Sequence, residues 1–165
     1  MSQSLPRVVL DTVIFVQALI SGRGAAAGCI DRLKAGRFIL LMSDAVLKEA
    51  KEVPLRPGLT NRYPYLTAER VNEFVQEIQA LAVHVASPPN VFTLPRDPKD
   101  EPLIDLAAAG MAEFLVTWNH RHLTYLMDDD TPEGKEFCQR FPNIKICAPP
   151  AFLSAIDALQ TGQLS

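Results

Sequence analysis

Four short apolar runs constrain this chain more than any other feature: RVVL at 7–10, FILLM at 38–42, FLVT at 114–117 and IKIC at 144–147. They are the length of strands. The first three lack the apolar–polar alternation of a half-exposed strand, so both of their faces must be covered. The sequence between them has helical periodicity. Buried strands that alternate with helices imply a parallel sheet with helices on both sides.

The helices have local start and stop signals. Residues 13–21 (VIFVQALIS) are followed by Gly22 and Gly24, and residues 25–35 place Ile30 and Leu33 inward with Gly36 as the stop. Ser43 is a suitable N-cap for a helix to about Val53, and Pro54, Pro57 and Gly58 make a break. Thr67 caps an amphipathic helix carrying Val71, Phe74, Val75, Ile78 and Leu81 on one face. Residues 83–95 are extended and proline-rich, with a short edge strand expected at 83–86. Asp97 opens the next helix, in which Leu103, Ile104, Ala107, Ala108 and Met111 recur at helical spacing. A turn at 110–113 leads into FLVT. A short helix is expected at 120–127, an acidic loop at 128–132, and a terminal helix from Pro149 to about Leu159. There is no internal repeat or linker, so one domain over residues 1–165 is expected.

Composition narrows the function. A net charge of -3 argues against nucleic-acid binding through bulk basicity, yet permits an enzyme that holds cations on carboxylates. With 48% hydrophobic residues the chain can bury a real core. Cys29, Cys138 and Cys147 are odd in number and form no CxxC, which indicates neither a disulfide framework nor a zinc site. Small buried thiols in a reducing cytoplasm fit them. No signal-like segment precedes Arg7 and no apolar run is long enough to span a bilayer, so a cytoplasmic protein is expected.

The carboxylates fall at the edges of these elements. Asp11 directly follows the first strand, where open α/β sheets place their sites, and Thr12 is placed to hydrogen-bond it. The plain alternative for Asp11 is an N-cap. Glu49 lies at the rim of the arc formed by Val46, Leu47, Ala50 and Val53, while Lys48, Lys51 and Glu52 point further out. In Asp97-Pro98-Lys99-Asp100, Asp97 caps and Pro98 takes the first helical position. Capping does not require the whole run of Asp97, Asp100, Glu101 and Asp105. Asp100 shares a face with Ile104 and Ala107, whereas Asp105 is expected in solvent. Asn119 ends a strand; it can cap the next helix, or ligate a metal or hold its water. His120 and His122 have no partners at zinc-ligand spacing, which suits surface or phosphate contacts. Oxygen ligands without Cys or His suit Mg²⁺ or Mn²⁺.

The segments VVLDT (8–12), SDAVLKEAKEV (43–53), RDPKDEPLIDLAAAG (96–110) and EFLVTWNHRHL (113–123) together resemble a PIN-domain ribonuclease of the VapC-like toxin branch of toxin–antitoxin systems. The resemblance implies a small Rossmann-like three-layer α/β/α sandwich. Its acidic site would fall on Asp11, Glu49 and Asp100, with the fourth position at Asn119. It also implies a homodimer and a cognate antitoxin. Two departures stand out. The family usually has Asn or Ser where this chain has Val13, and often Asp where it has Asn119. Both remove polar support from a metal site.

The reading is a metal-dependent endoribonuclease that hydrolyses RNA phosphodiester bonds with Mg²⁺ or Mn²⁺ on Asp11, Glu49 and Asp100, Asn119 orienting a water. Lys48, Lys51, Arg56, Arg62 and Arg121 are the candidate phosphate contacts. One alternative is an impaired module of the same fold that binds RNA or a protein partner. A phosphatase with Asp11 as nucleophile would need a second acid where Val13 stands.

Overall fold

Each of the four apolar runs contributes a strand, and a fifth follows the long amphipathic helix. The computed structural model describes residues 4–160; positions 1–3 and 161–165 of the expected domain lie outside the described residues. The strands are β1 (Arg7–Leu10), β2 (Ile39–Met42), β3 (Val83–His84), β4 (Phe114–Val116) and β5 (Lys145–Cys147). They pair in parallel in the order β3-β2-β1-β4-β5. The helices are α1 (Thr12–Ile20), α2 (Ala25–Lys34), α3 (Asp44–Glu52), α4 (Pro57–Thr60), α5 (Ala68–Leu81), α6 (Glu101–Ala109), α7 (Pro132–Arg140) and α8 (Pro149–Gln160). Helix α6 packs on β1, β2 and β4, and α5 on β2 and α3. Helix α8 packs on β4 and α2, and α2 on α1. The result is the three-layer α/β/α sandwich.

Burial explains the pattern of the strands. Val8, Val9 and Leu10 of β1, Leu40 and Leu41 of β2, and Leu115 and Val116 of β4 are all buried to 1% exposure or less. Each such side chain contributes about 1.5–3 kcal/mol by leaving water. The caps follow the sequence signals. Val46 N donates to Ser43 Oγ, and Arg70 N donates to Thr67 Oγ1. Gly36 has φ +72°, the left-handed conformation that ends α2 with least strain. Cys29 and Cys147 are buried, which pushes their thiols up to about 12 and about 11 and leaves them unreactive.

Several expectations are corrected. The edge strand expected at 83–86 is the two residues of β3. The helix expected at 120–127 is a 3-10 turn, Thr124–Met127. Helix α7 occupies a stretch to which no element is assigned above; only Pro132 falls within the acidic loop expected at 128–132. Its signals were local: Thr131 accepts from Gly134 N as a cap, Pro132 follows, and Phe137 is fully buried. A Cβ at Gly134 would lie 1.9 Å from the Asp128 carbonyl oxygen, so that turn requires glycine. The break at Pro57 holds the single turn of α4.

The topology positions the site. β1 and β4 are neighbours, although β2 and β3 lie between them in sequence. The chain builds the sheet outward on one side of β1, then returns to build on the other. Connections leaving the carboxyl ends of such a strand pair diverge and open a crevice.

Candidate active site

The crevice begins where β1 and β4 stop. Asp11 N still donates to Val116 O at 2.9 Å, so the backbone pairing of β1 with β4 continues to the carboxylate. Asp11 occupies the N-cap position of α1, but its side chain makes no capping hydrogen bond. Instead Thr117 Oγ1 donates to Asp11 Oδ2 at 2.7 Å, with Thr117 fully buried and Asp11 8% exposed. Burial raises the Asp11 carboxyl above its usual value, against the Thr117 hydrogen bond and the nearby Val13 and Thr12 amides.

Helix α1 packs against α3, and this contact brings in Glu49. Thr12 Oγ1 donates to Glu49 Oε2 at 3.0 Å. Thr12 therefore holds Glu49, whereas it was expected to hold Asp11; that task belongs to Thr117.

The acidic run at the start of α6 divides its tasks. Asp97 caps the 3-10 turn Pro98–Asp100 by accepting from Lys99 N at 3.1 Å. Glu101 accepts from Leu94 N at 2.9 Å, and Asp105 accepts from Val91 N at 2.9 Å. Both also accept from Asn90 Nδ2 at 3.2 Å. These two carboxylates, one helical turn apart, tie the extended segment before the helix to its side. Asp105 is thus buried, which corrects the expectation that it is solvated. Asp100 remains for the crevice.

Asn119 closes the network. Its Nδ2 donates to Asp100 Oδ2 at 2.7 Å, and its Oδ1 accepts from His122 N at 3.1 Å. Asn119 N also donates to Thr117 Oγ1 at 2.9 Å. A chain of hydrogen bonds thus runs from Asp11 through Thr117 and Asn119 to Asp100. Burial, then the Asp11 and Asp97 carboxylates, push the Asp100 acid from 3.8 up to about 6; the Asn119 bond and His122 oppose the rise.

Asp11, Glu49, Asp100 and Asn119 all line one cleft of about 440 Å³, together with Asp97, Arg56, Lys99, Val13 and Trp118. A different trio among the described residues has its potential ligand atoms close together: one atom from each of Asp97, Asp100 and His122 lies within 4.8 Å of the other two. His122 Nδ1 stands 3.3 Å from Asp97 Oδ2. Asp11 and Glu49 stand outside that trio. Among the described residues no Lys or Arg forms a salt bridge with Asp11, Glu49 or Asp100. Repelling carboxylates with no Lys or Arg ion-paired to them, offering hard oxygen atoms, fit a divalent cation.

Of the five cations proposed for phosphate, Arg56 lines the cleft, while Arg62 sits over the Tyr63 ring at 5.4 Å. Lys99 lines the cleft and was not among the five. Thr117 had no assigned role, although a polar residue closing an apolar strand is a signal of the same kind as Asp11. The pairing of Asp97 with His122 had no sequence signal, because it depends on the turn after β4. The family model described as PIN domain matches residues 7–121, a span that contains every residue named for the cleft. No curated protein sequence matches the chain.

Proposed function

The chain belongs to the PIN-domain family, and on that premise we propose that it is a metal-dependent endoribonuclease hydrolysing RNA phosphodiester bonds. The observation that carries the reading is the convergence of Asp11, Glu49 and Asp100 on one cleft at the carboxyl ends of β1 and β4. Those three carboxylates would hold Mg²⁺ or Mn²⁺, which supplies an activated water and neutralises charge on the phosphate. Thr117 and Thr12 keep one oxygen each of Asp11 and Glu49 fixed. Asn119 holds Asp100 by its amide nitrogen, because the His122 amide takes its oxygen. Asn119 acts through Asp100 rather than as an oxygen ligand. Arg56 and Lys99 meet RNA phosphates at the cleft wall.

The reading extends to a cytoplasmic toxin that forms a homodimer and is neutralised by a cognate antitoxin. Support for this part is the family resemblance. Helices α1 and α5 send most of their apolar residues into the core and leave Val13 and Leu81 exposed, so a dimer contact would need other surface as well. Light scattering of the pure protein tests the dimer.

A second reading, the same fold with an impaired site that binds RNA or a protein partner, is favoured by Val13, which is exposed in the cleft, and by the engaged amide oxygen of Asn119. Incubation of labelled single-stranded RNA with pure protein separates the two. Cleavage with Mn²⁺ that EDTA stops supports the nuclease. RNA binding without cleavage supports the impaired module.

A further inference from the structure

The cleft has an apolar wall that metal binding does not use. Trp118 lies between Thr117, bonded to Asp11, and Asn119, bonded to Asp100. Its indole is pinned: Nε1–H donates to Gln17 Oε1 at 2.8 Å. The polar edge of the ring is satisfied, yet 44% of the residue stays exposed. Val13, 46% exposed, stands one helical turn before Gln17 on α1. Side chains one turn apart share a face, so the face of α1 that anchors the indole also presents Val13 to the cleft. The departure from the family's Asn or Ser thus falls beside the one tryptophan of the chain.

Resting on the nuclease reading, we propose that Trp118 is a stacking platform for an unpaired base of single-stranded RNA, next to the phosphate that is cut. A flat ring with its N–H occupied offers its π-face and no hydrogen-bond code, which suits stacking that tolerates any base. Paired A-form RNA keeps its base faces covered, so the platform selects single strands or loops. Arg56 and Lys99 line the same cleft, and neither forms a salt bridge among the described residues, so both are available to the phosphates on either side of the stacked base.

Trp118 is its own reporter, because its emission is the only tryptophan signal. Oligoadenylate is titrated into the full chain with Ca²⁺, and binding is followed in parallel by polarisation of labelled RNA. Saturable quenching by oligoadenylate, and none by duplex RNA, is expected. Trp118→Ala should weaken RNA binding on the order of tenfold, and Trp118→Phe should retain most of it. In Mn²⁺ cleavage assays Trp118→Ala should raise KM while kcat changes little. RNA that binds and is cleaved with unchanged Trp118 emission, and equally well by Trp118→Ala, overturns the platform and leaves the nuclease reading intact. Quenching without cleavage keeps base stacking on Trp118 but overturns the nuclease, and with it the placement beside a cut phosphate. Neither RNA binding nor cleavage overturns both.

Discussion

The side-chain amide of Asn119 donates from Nδ2 to Asp100 Oδ2 across 2.7 Å, while its oxygen accepts from the His122 amide. This orientation is chemically forced: a backbone N–H needs an acceptor and a carboxylate needs a donor. Asn119 therefore tempers the charge of Asp100. Asn119→Asp replaces that donor with a second carboxylate. The metal-free melting temperature should fall by about 3–10 °C. The stabilisation by Mn²⁺ should grow, because a cation relieves the added repulsion and binds the native state. Thermal melts with EDTA and with Mn²⁺ check both signs.

Asp100 makes metal-free stability depend on pH. Its acid is raised from 3.8 to about 6 by burial, Asp11 and Asp97, so the folded chain holds the proton more tightly than the unfolded one. The stabilising contribution is fully present below about pH 4 and is lost as pH rises through about 6. Its size is on the order of 1–2 kcal/mol after solvent screening of a half-buried group. Asp11, raised by burial, adds in the same direction. Melting curves in EDTA between pH 4 and 8 should slope downward in this window and flatten in Asp100→Asn. Mn²⁺ affinity should rise over the same interval, because the cation needs the ionised carboxylate.

Thr117 is a positioning residue. Its hydroxyl donates to Asp11 and accepts from Asn119 N, which couples the two sides of the cleft. Thr117→Val keeps the shape and removes both bonds. RNA cleavage and Mn²⁺ affinity should fall about 10–100-fold, and Thr117→Ser should restore most of the loss.

Asp105 has a different task. It accepts the Val91 amide and the Asn90 side chain and is itself buried. Asp105→Ala leaves the half-buried Val91 N–H without its partner, at a cost of about 1 kcal/mol. Below the melting transition, cleavage should be near that of the wild type. Chemical denaturation and cleavage at low temperature separate this role from that of Asp100.

The parallel sheet was legible because β1, β2 and β4 are covered on both faces, and such strands are apolar throughout. The meeting of Asp11, Glu49, Asp100 and Asn119 on one cleft was legible because each stands at the end of a strand or near a helix rim. The hydrogen-bond partners were not. Thr12 and Thr117 are both polar residues following a strand, and only the packing of α1 on α3 gives Thr12 to Glu49. Asp105 was misread for a similar reason: the helical wheel turned it away from Ile104, but the extended segment at 90–94 covers that side. Helix α7 was missed because its apolar content is small and its cap lies within an acidic stretch.

Counting bound Mn²⁺ by electron paramagnetic resonance, with RNA cleavage measured on the same samples, tests the central claim most directly. The set is wild type, Asp11→Asn, Glu49→Gln, Asp100→Asn and His122→Ala. The account predicts that the first three variants lose Mn²⁺ affinity and cleavage together, while His122→Ala keeps Mn²⁺ affinity close to the wild type. Wild-type Mn²⁺ affinity in Asp11→Asn and Glu49→Gln, with loss in His122→Ala, would contradict it and move the ion to the Asp97, Asp100 and His122 trio.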